Sequence, residues 1–130
     1  VHQQACPMWV PIIENGEHLS AGADFFVDEY IQQLLQKSND IDCVLLACTH
    51  YPLLVPKIEQ HLPSHIKIVA QGDIVADSLV DYLKRHAELE STLAKNAQRT
   101  FYTSGDVQVF EERASMFLCE KIAAHKMHKS

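Results

Sequence analysis

Apolar residues along this chain alternate between two periods, and the alternation orders its elements. Asp24, Phe25, Val27, Asp28, Tyr30, Ile31, Leu34 and Leu35 put an apolar stripe on one helical face, and Ser38-Asn39-Asp40 ends the pattern. Ile41-Asp42-Cys43-Val44-Leu45-Leu46-Ala47 is a nearly unbroken apolar run, as expected of a parallel strand covered on both faces. A short helix follows from about Leu53 to His61, and Pro63 stops it. Ile66–Ala70 reads as a strand. Gln71-Gly72-Asp73 then turns the chain into a long helix with Ile74, Val75, Leu79, Tyr82 and Leu83 on its apolar side. Thr100–Thr103 is a further strand, Ser104-Gly105-Asp106 a turn and helix cap, and Phe110–Ile122 a final helix. At the other end, Val1–Ala5 is a weak strand candidate ahead of a proline-containing segment, Cys6–Glu17. Strands alternating with helices at this spacing predict an α/β fold with a parallel sheet. The tail carrying His125 and His128 reads as mobile.

Composition narrows the function. The 130 residues are 47% hydrophobic and 22% charged, enough for a globular core without staples. A net charge of −6 argues against nucleic acid, and no apolar run approaches the ~20 residues that span a bilayer. The four glycines, Gly16, Gly22, Gly72 and Gly105, are scattered, which excludes phosphate-cradling and dinucleotide fingerprints. Four cysteines without a Cys-x-x-Cys pair predict a reducing, cytoplasmic setting. No basic-then-apolar segment opens the chain, and its first residue is Val1 rather than Met, as in the middle of a longer sequence.

Ligands of open α/β sheets gather beyond the carboxyl ends of strands. There the chain reads Ala47-Cys48-Thr49-His50-Tyr51-Pro52. Cys48, leaving the strand before a helix begins, would face backbone N–H groups that favour a thiolate. Thr49 could cap that helix or offer its hydroxyl to an anion, and the free N–H groups of the next turn could seat a carboxylate. His50 could reach the same cleft as acid, base or donor. Against this stands the commoner role of cysteine as a small buried hydrophobe, which is the reading for Cys6, Cys43 and Cys119. A phosphatase loop would need Arg where Leu54 stands, and a thioredoxin site would need Cys where Tyr51 stands. Cys48 and His50 alone lack the second ligand pair of a zinc site. A single-cysteine hydrolase with His50 as base is a remote alternative, because residues so close in sequence rarely reach that geometry.

The stretch Leu46-Ala47-Cys48-Thr49-His50-Tyr51-Pro52-Leu53-Leu54 resembles the second cysteine motif of bacterial glutamate racemases, where Gly is more usual at position 47. Ala5-Cys6-Pro7-Met8-Trp9-Val10-Pro11-Ile12-Ile13-Glu14 and Phe101-Tyr102-Thr103-Ser104-Gly105-Asp106 resemble two further segments of that family, in the right order. Gln71-Gly72 departs from the commoner Ser-Gly. The resemblance implies a Rossmann-like three-layer lobe, one half of a two-lobed pseudosymmetric fold. It also implies cofactor-independent interconversion of L- and D-glutamate for peptidoglycan synthesis, by two bases on opposite faces of the α-carbon. Cys48 would be one acid/base thiol, His50 would assist it, and Glu14 would be a supporting carboxylate, although Glu17 stands close enough to confuse that match. Thr49 would bind substrate. Cys6 would be structural, and neither cofactor nor metal is called for. His at position 50 favours glutamate over aspartate, since the related aspartate racemases resemble this motif with Glu there.

The family's first lobe and the cysteine it carries are not in this sequence, so the chain resembles a C-terminal portion. Residues 1–73 would then be part of the second lobe, and residues 74–130 a helix-strand-helix segment that packs on the first. Apolar surface at Val75, Leu79, Phe101 and Phe110 would be left exposed or covered by self-association into a homo-oligomer. The alternative to a racemase is a catalytically silent fragment, or a module that binds a dicarboxylate.

Overall fold

The computed structural model describes residues 1–127, which divide into two compact units, one of residues 1–86 and one beginning at Ala87. The first unit contains helices α1 (Trp9–Glu14) and α2 (Ala21–Leu35), strand β1 (Cys43–Leu46), a 3₁₀ turn (Tyr51–Leu54), helix α3 (Val55–His61), strand β2 (Lys67–Ala70) and helix α4 (Gln71–Arg85). β1 and β2 pair in parallel, with Cys43, Val44, Leu45 and Leu46 opposite Lys67, Ile68, Val69 and Ala70. Parallel pairing across an intervening helix is the α/β arrangement the sequence predicts.

Helix α1 forms inside a segment that two prolines make look irregular. Pro11 is its third residue, and the first turn of a helix has no intrahelical acceptor for its N–H groups, so the ring costs no hydrogen bond there. The helix ends at Gly16, whose φ of 74° suits glycine. Gly16 N–H donates to Ile13 O at 2.9 Å and Glu17 N–H to Ile12 O at 2.9 Å, the paired bonds of a Schellman end. Helix α2 begins before the apolar stripe does, because the Ser20 hydroxyl accepts from Ala23 N–H at 3.2 Å. Trp9 and Ile13 of α1, Val27 and Ile31 of α2, and Leu54 and Ile58 around the start of α3 are all buried, with Val44 and Leu46 of β1. Helices α2 and α3 are also tied by Lys57, whose Nζ lies 2.6 Å from Asp24 Oδ1, and by His61, 3.2 Å from Asp28.

Two expectations for this unit fail. Val1–Ala5 is not a strand: it is held by a side chain of α2 and one just beyond its end, with Gln4 Nε2 2.7 Å from Gln33 Oε1 and Lys37 Nζ donating to Gln3 O. Nor is β1 covered on both faces, since Val44 and Leu46 are buried while Cys43 and Leu45 are exposed. Helix α4 has no buried residue, so Ile74, Val75, Leu79 and Tyr82 present their apolar stripe uncovered, as expected of Val75 and Leu79.

The second unit contains the short helix α5 (Ala87–Glu90), strand β3 (Phe101–Thr103), helix α6 (Val107–Leu118) and strand β4 (Ala124–Lys126). Asp106 caps α6 as expected, its Oδ1 accepting from Val109 N–H at 2.9 Å. The helix stops at Leu118, four residues before the expected end at Ile122, because Cys119 turns into the left-handed region with φ 52°. Ile122 is then buried, and β4 pairs in parallel with β3, placing His125 opposite Tyr102. His125 therefore lies in a strand rather than a mobile tail, whereas His128 is outside the described residues. Phe101 and Phe110, expected to be exposed, are half-buried. Cys119 is exposed, as is Cys43, so neither is the buried hydrophobe expected from its sequence setting.

Candidate active site

Cys48 lies just past the carboxyl end of β1, half-buried, in the bend that leads through Thr49 and His50 to the 3₁₀ turn. That turn changes the expected surroundings of the thiol. Tyr51 N–H donates to Cys48 O at 3.3 Å and Leu53 N–H to His50 O at 3.1 Å, while Pro52 has no N–H. The row of free N–H groups predicted for a carboxylate is therefore largely spent inside the turn. Thr49 does not cap it either: the turn has no side-chain cap, and the Thr49 hydroxyl instead lies 3.4 Å from His50 Nδ1.

The three polar groups expected at this site come together. Cys48 Sγ is 4.0 Å from His50 Nδ1, and His50 Nε2 is 2.5 Å from Glu14 Oε1. A carboxylate facing Nε2 favours the tautomer with its proton on that nitrogen. His50 then donates to Glu14 and turns the lone pair of Nδ1 toward the Cys48 thiol and the Thr49 hydroxyl. The arrangement can accept a proton from sulfur at one end while a carboxylate steadies the imidazolium at the other. The pair is only partly shielded, with the His50 side chain 25% and the Glu14 side chain 46% exposed. Glu14, not Glu17, is the carboxylate at the site.

Packing explains why a carboxylate from α1 meets a histidine from the β1–α3 connection. Trp9 and Ile13, four residues apart, bury one face of α1, and Glu14 follows at its rim. The Trp9 ring meets Tyr51 edge-on, with centroids 4.8 Å apart, so α1 and the 3₁₀ turn share one aromatic contact beside His50. The Tyr51 phenol is pushed above its ordinary range by burial, and secondarily by the neighbouring Cys6, Cys48 and Tyr30. Cys6 is buried, its thiol 3.6 Å from Gln4 O, and burial raises it to about 11 against a smaller opposing pull from Lys37. It is a neutral thiol near neutral pH, which suits the structural role expected of it. Trp9 and Tyr51 are not among the site residues that the sequence predicts. The only available signal was that both are aromatics flanking the polar motif residues.

No family model matches the chain. A glutamate racemase from Listeria monocytogenes serotype 4a is 37% identical over 118 residues, covering 91% of this chain and 43% of that relative. A crystal structure of a glutamate racemase isoform from Bacillus anthracis superposes with a TM-score of 0.81 at 31% identity, over 98% of this chain and 47% of the other. A glutamate racemase from Thermus thermophilus, solved in complex with β-chloro-D-alanine, gives a TM-score of 0.75 at 27% identity, over 95% of this chain and 46% of the other. The chain thus spans a little under half the length of the relatives it matches.

Proposed function

The chain is homologous to glutamate racemases over nine-tenths of its length, and from that premise we propose that it supplies one face of a cofactor-independent glutamate racemase site. The observation that carries the reading is the Cys48–His50–Glu14 arrangement at the end of β1. In it Cys48 is the acid/base thiol, His50 holds or returns its proton, Glu14 fixes the imidazole, and Thr49 binds the substrate's carboxylate or amino end. The α-proton of an amino acid is very weakly acidic, so a thiolate must approach one face of the α-carbon while a second thiol donates to the other. Cys6 is a poor candidate for that second thiol, because it is buried and stays protonated. Cys43 opens β1, at the opposite end of the strand from Cys48, so in this reading the second thiol comes from another lobe or another chain. The exposed stripe of α4, including Val75 and Leu79, fits the same reading as a surface for such a lobe, with residues 74–130 as the packing segment. The amino-acid derivative bound by the Thermus relative supports a small amino-acid substrate. In this reading the product serves peptidoglycan synthesis in the cytoplasm. No described helix is long and apolar enough to cross a membrane.

A second reading rests on the single thiol at the described site: the chain binds a dicarboxylate and is catalytically silent. NMR of L- and D-glutamate in deuterium oxide, with the chain and with Cys48→Ala, separates the two. Loss of α-proton in glutamate that Cys48→Ala abolishes supports the racemase reading. Glutamate-induced shifts at the Thr49 and His50 amides without any exchange support the silent one. Neither effect overturns both, and a stronger response to aspartate moves the substrate assignment to aspartate.

A further inference from the structure

The Glu14–His50 contact joins groups from two different elements, and neither residue holds the other's backbone in place. Trp9 touches the framework on both sides of that contact. It is 3% exposed, and its indole N–H donates to Phe26 O at 3.2 Å, fixing the ring against α2. Its ring centroid lies 6.1 Å from that of Tyr30 in α2 and 4.8 Å from that of Tyr51, the latter pair crossing at 79°. Tyr51 follows His50 directly and opens the 3₁₀ turn, so its ring position constrains the backbone that carries the imidazole. On the other side, Trp9 opens α1 and buries it together with Ile13, the residue before Glu14.

We propose that Trp9 is a positioning residue, which acts through Tyr51 and α1 to hold His50 Nε2 against Glu14 and so to aim Nδ1 at Cys48. The proposal deepens the racemase reading, but its physical content is the Glu14–His50 geometry, which can be measured without any turnover. An ordinary core tryptophan would contribute stability alone. A positioning one also changes a signal at a distance, because a shift of the 3₁₀ turn carries His50 with it and lengthens its contact with Glu14.

The test is proton NMR of the full chain for the far-downfield imidazole proton of the His50–Glu14 bond, assigned by its loss in His50→Gln. It is run together with site-resolved mass spectrometry of Cys48 alkylation by iodoacetamide from pH 6 to 9. In Trp9→Leu the downfield proton is expected to vanish, and the alkylation profile to become that of Glu14→Gln. Trp9→Phe, which keeps a ring edge for Tyr51, is expected to retain both signals. If Trp9→Leu does not fold, Tyr51→Leu carries the same expectation. A folded Trp9→Leu or Tyr51→Leu with the wild-type proton and profile overturns the proposal, as does a wild-type chain in which the downfield proton is missing throughout. Because neither readout involves glutamate, the proposal can fail while the racemase reading stands, and the reverse.

Discussion

His50 Nε2 and Glu14 Oε1 lie 2.5 Å apart although 36 positions separate them in the chain. The contact ties the helix α1 rim to the bend after β1, and it decides which imidazole nitrogen faces sulfur. Glu14→Gln can present either an oxygen or an amide N–H to Nε2, so the tautomer is no longer fixed. Iodoacetamide modification of Cys48 near pH 7.5 should slow by roughly tenfold, less than the ~100-fold or more of a fully engaged base, because Nδ1 stands 4.0 Å from the sulfur. The urea midpoint should barely move, because a half-exposed ion pair contributes little to stability, about 0–1 kcal/mol. An unchanged alkylation rate would show that Glu14 does not govern the His50–Cys48 contact.

Cys6 sets a limit on alkaline stability. Its folded thiol is raised by burial from 9.0 to about 11, so below pH 9 both folded and unfolded chains keep the proton and its contribution is intact. Between those values the unfolded chain loses the proton first, and stability falls as pH rises. The loss should be on the order of 1–2 kcal/mol at pH 11, read from urea unfolding at pH 8, 9.5 and 11. Cys6→Ala should flatten that slope. An equally steep slope in the variant would assign the effect to other groups.

Gly16 closes α1 in a conformation that a Cβ disfavours, with φ at 74°. Gly16→Ala should cost about 1–2 kcal/mol by thermal or urea unfolding. Because the Schellman bonds from Gly16 and Glu17 to Ile13 and Ile12 span Glu14, the variant should also weaken the Glu14–His50 contact. Full stability in Gly16→Ala would mean that α1 ends differently in solution.

Lys57 is the one charged residue buried among the described residues, and its partner Asp24 sits in the first turn of α2. Asp24→Ala leaves an ammonium with little water and no carboxylate. Since Asp24 itself is 43% exposed, the cost should be about 1–2 kcal/mol rather than that of a fully buried pair. Lys57→Met in the same background should recover part of it, because a thioether needs no partner in that position. A double-mutant cycle that sums the two single effects would rule out the coupling.

Several elements could be read because their information is local. The α2 stripe, the apolar β1 run, the Pro63 stop and the Asp106 cap all depend on residues within a turn or two of each other. So did the grouping of Cys48, Thr49 and His50, which are consecutive. Helix α1 was hidden because Pro11 suggests irregular chain unless its place in the first turn is known. Strand β4 was hidden because Ala124-His125-Lys126 has no apolar alternation; backbone pairing with β3 makes it a strand, with Met127 N–H donating to Thr103 O at 2.8 Å.

The sequence by itself determined the order from α2 through β1, α3 and β2 to α4, and the thiol-hydroxyl-imidazole run at a strand end. Periodicity reports which side of an element is apolar, but not what covers that side. Only the tertiary structure therefore decided that Cys43 and Leu45 stay exposed. It also chose Glu14 over Glu17 and made the free N–H groups of the turn unavailable, because both depend on how α1 and the 3₁₀ turn pack around Trp9 and Tyr51. Packing of that kind joins residues far apart in the chain, and no local pattern encodes the partner.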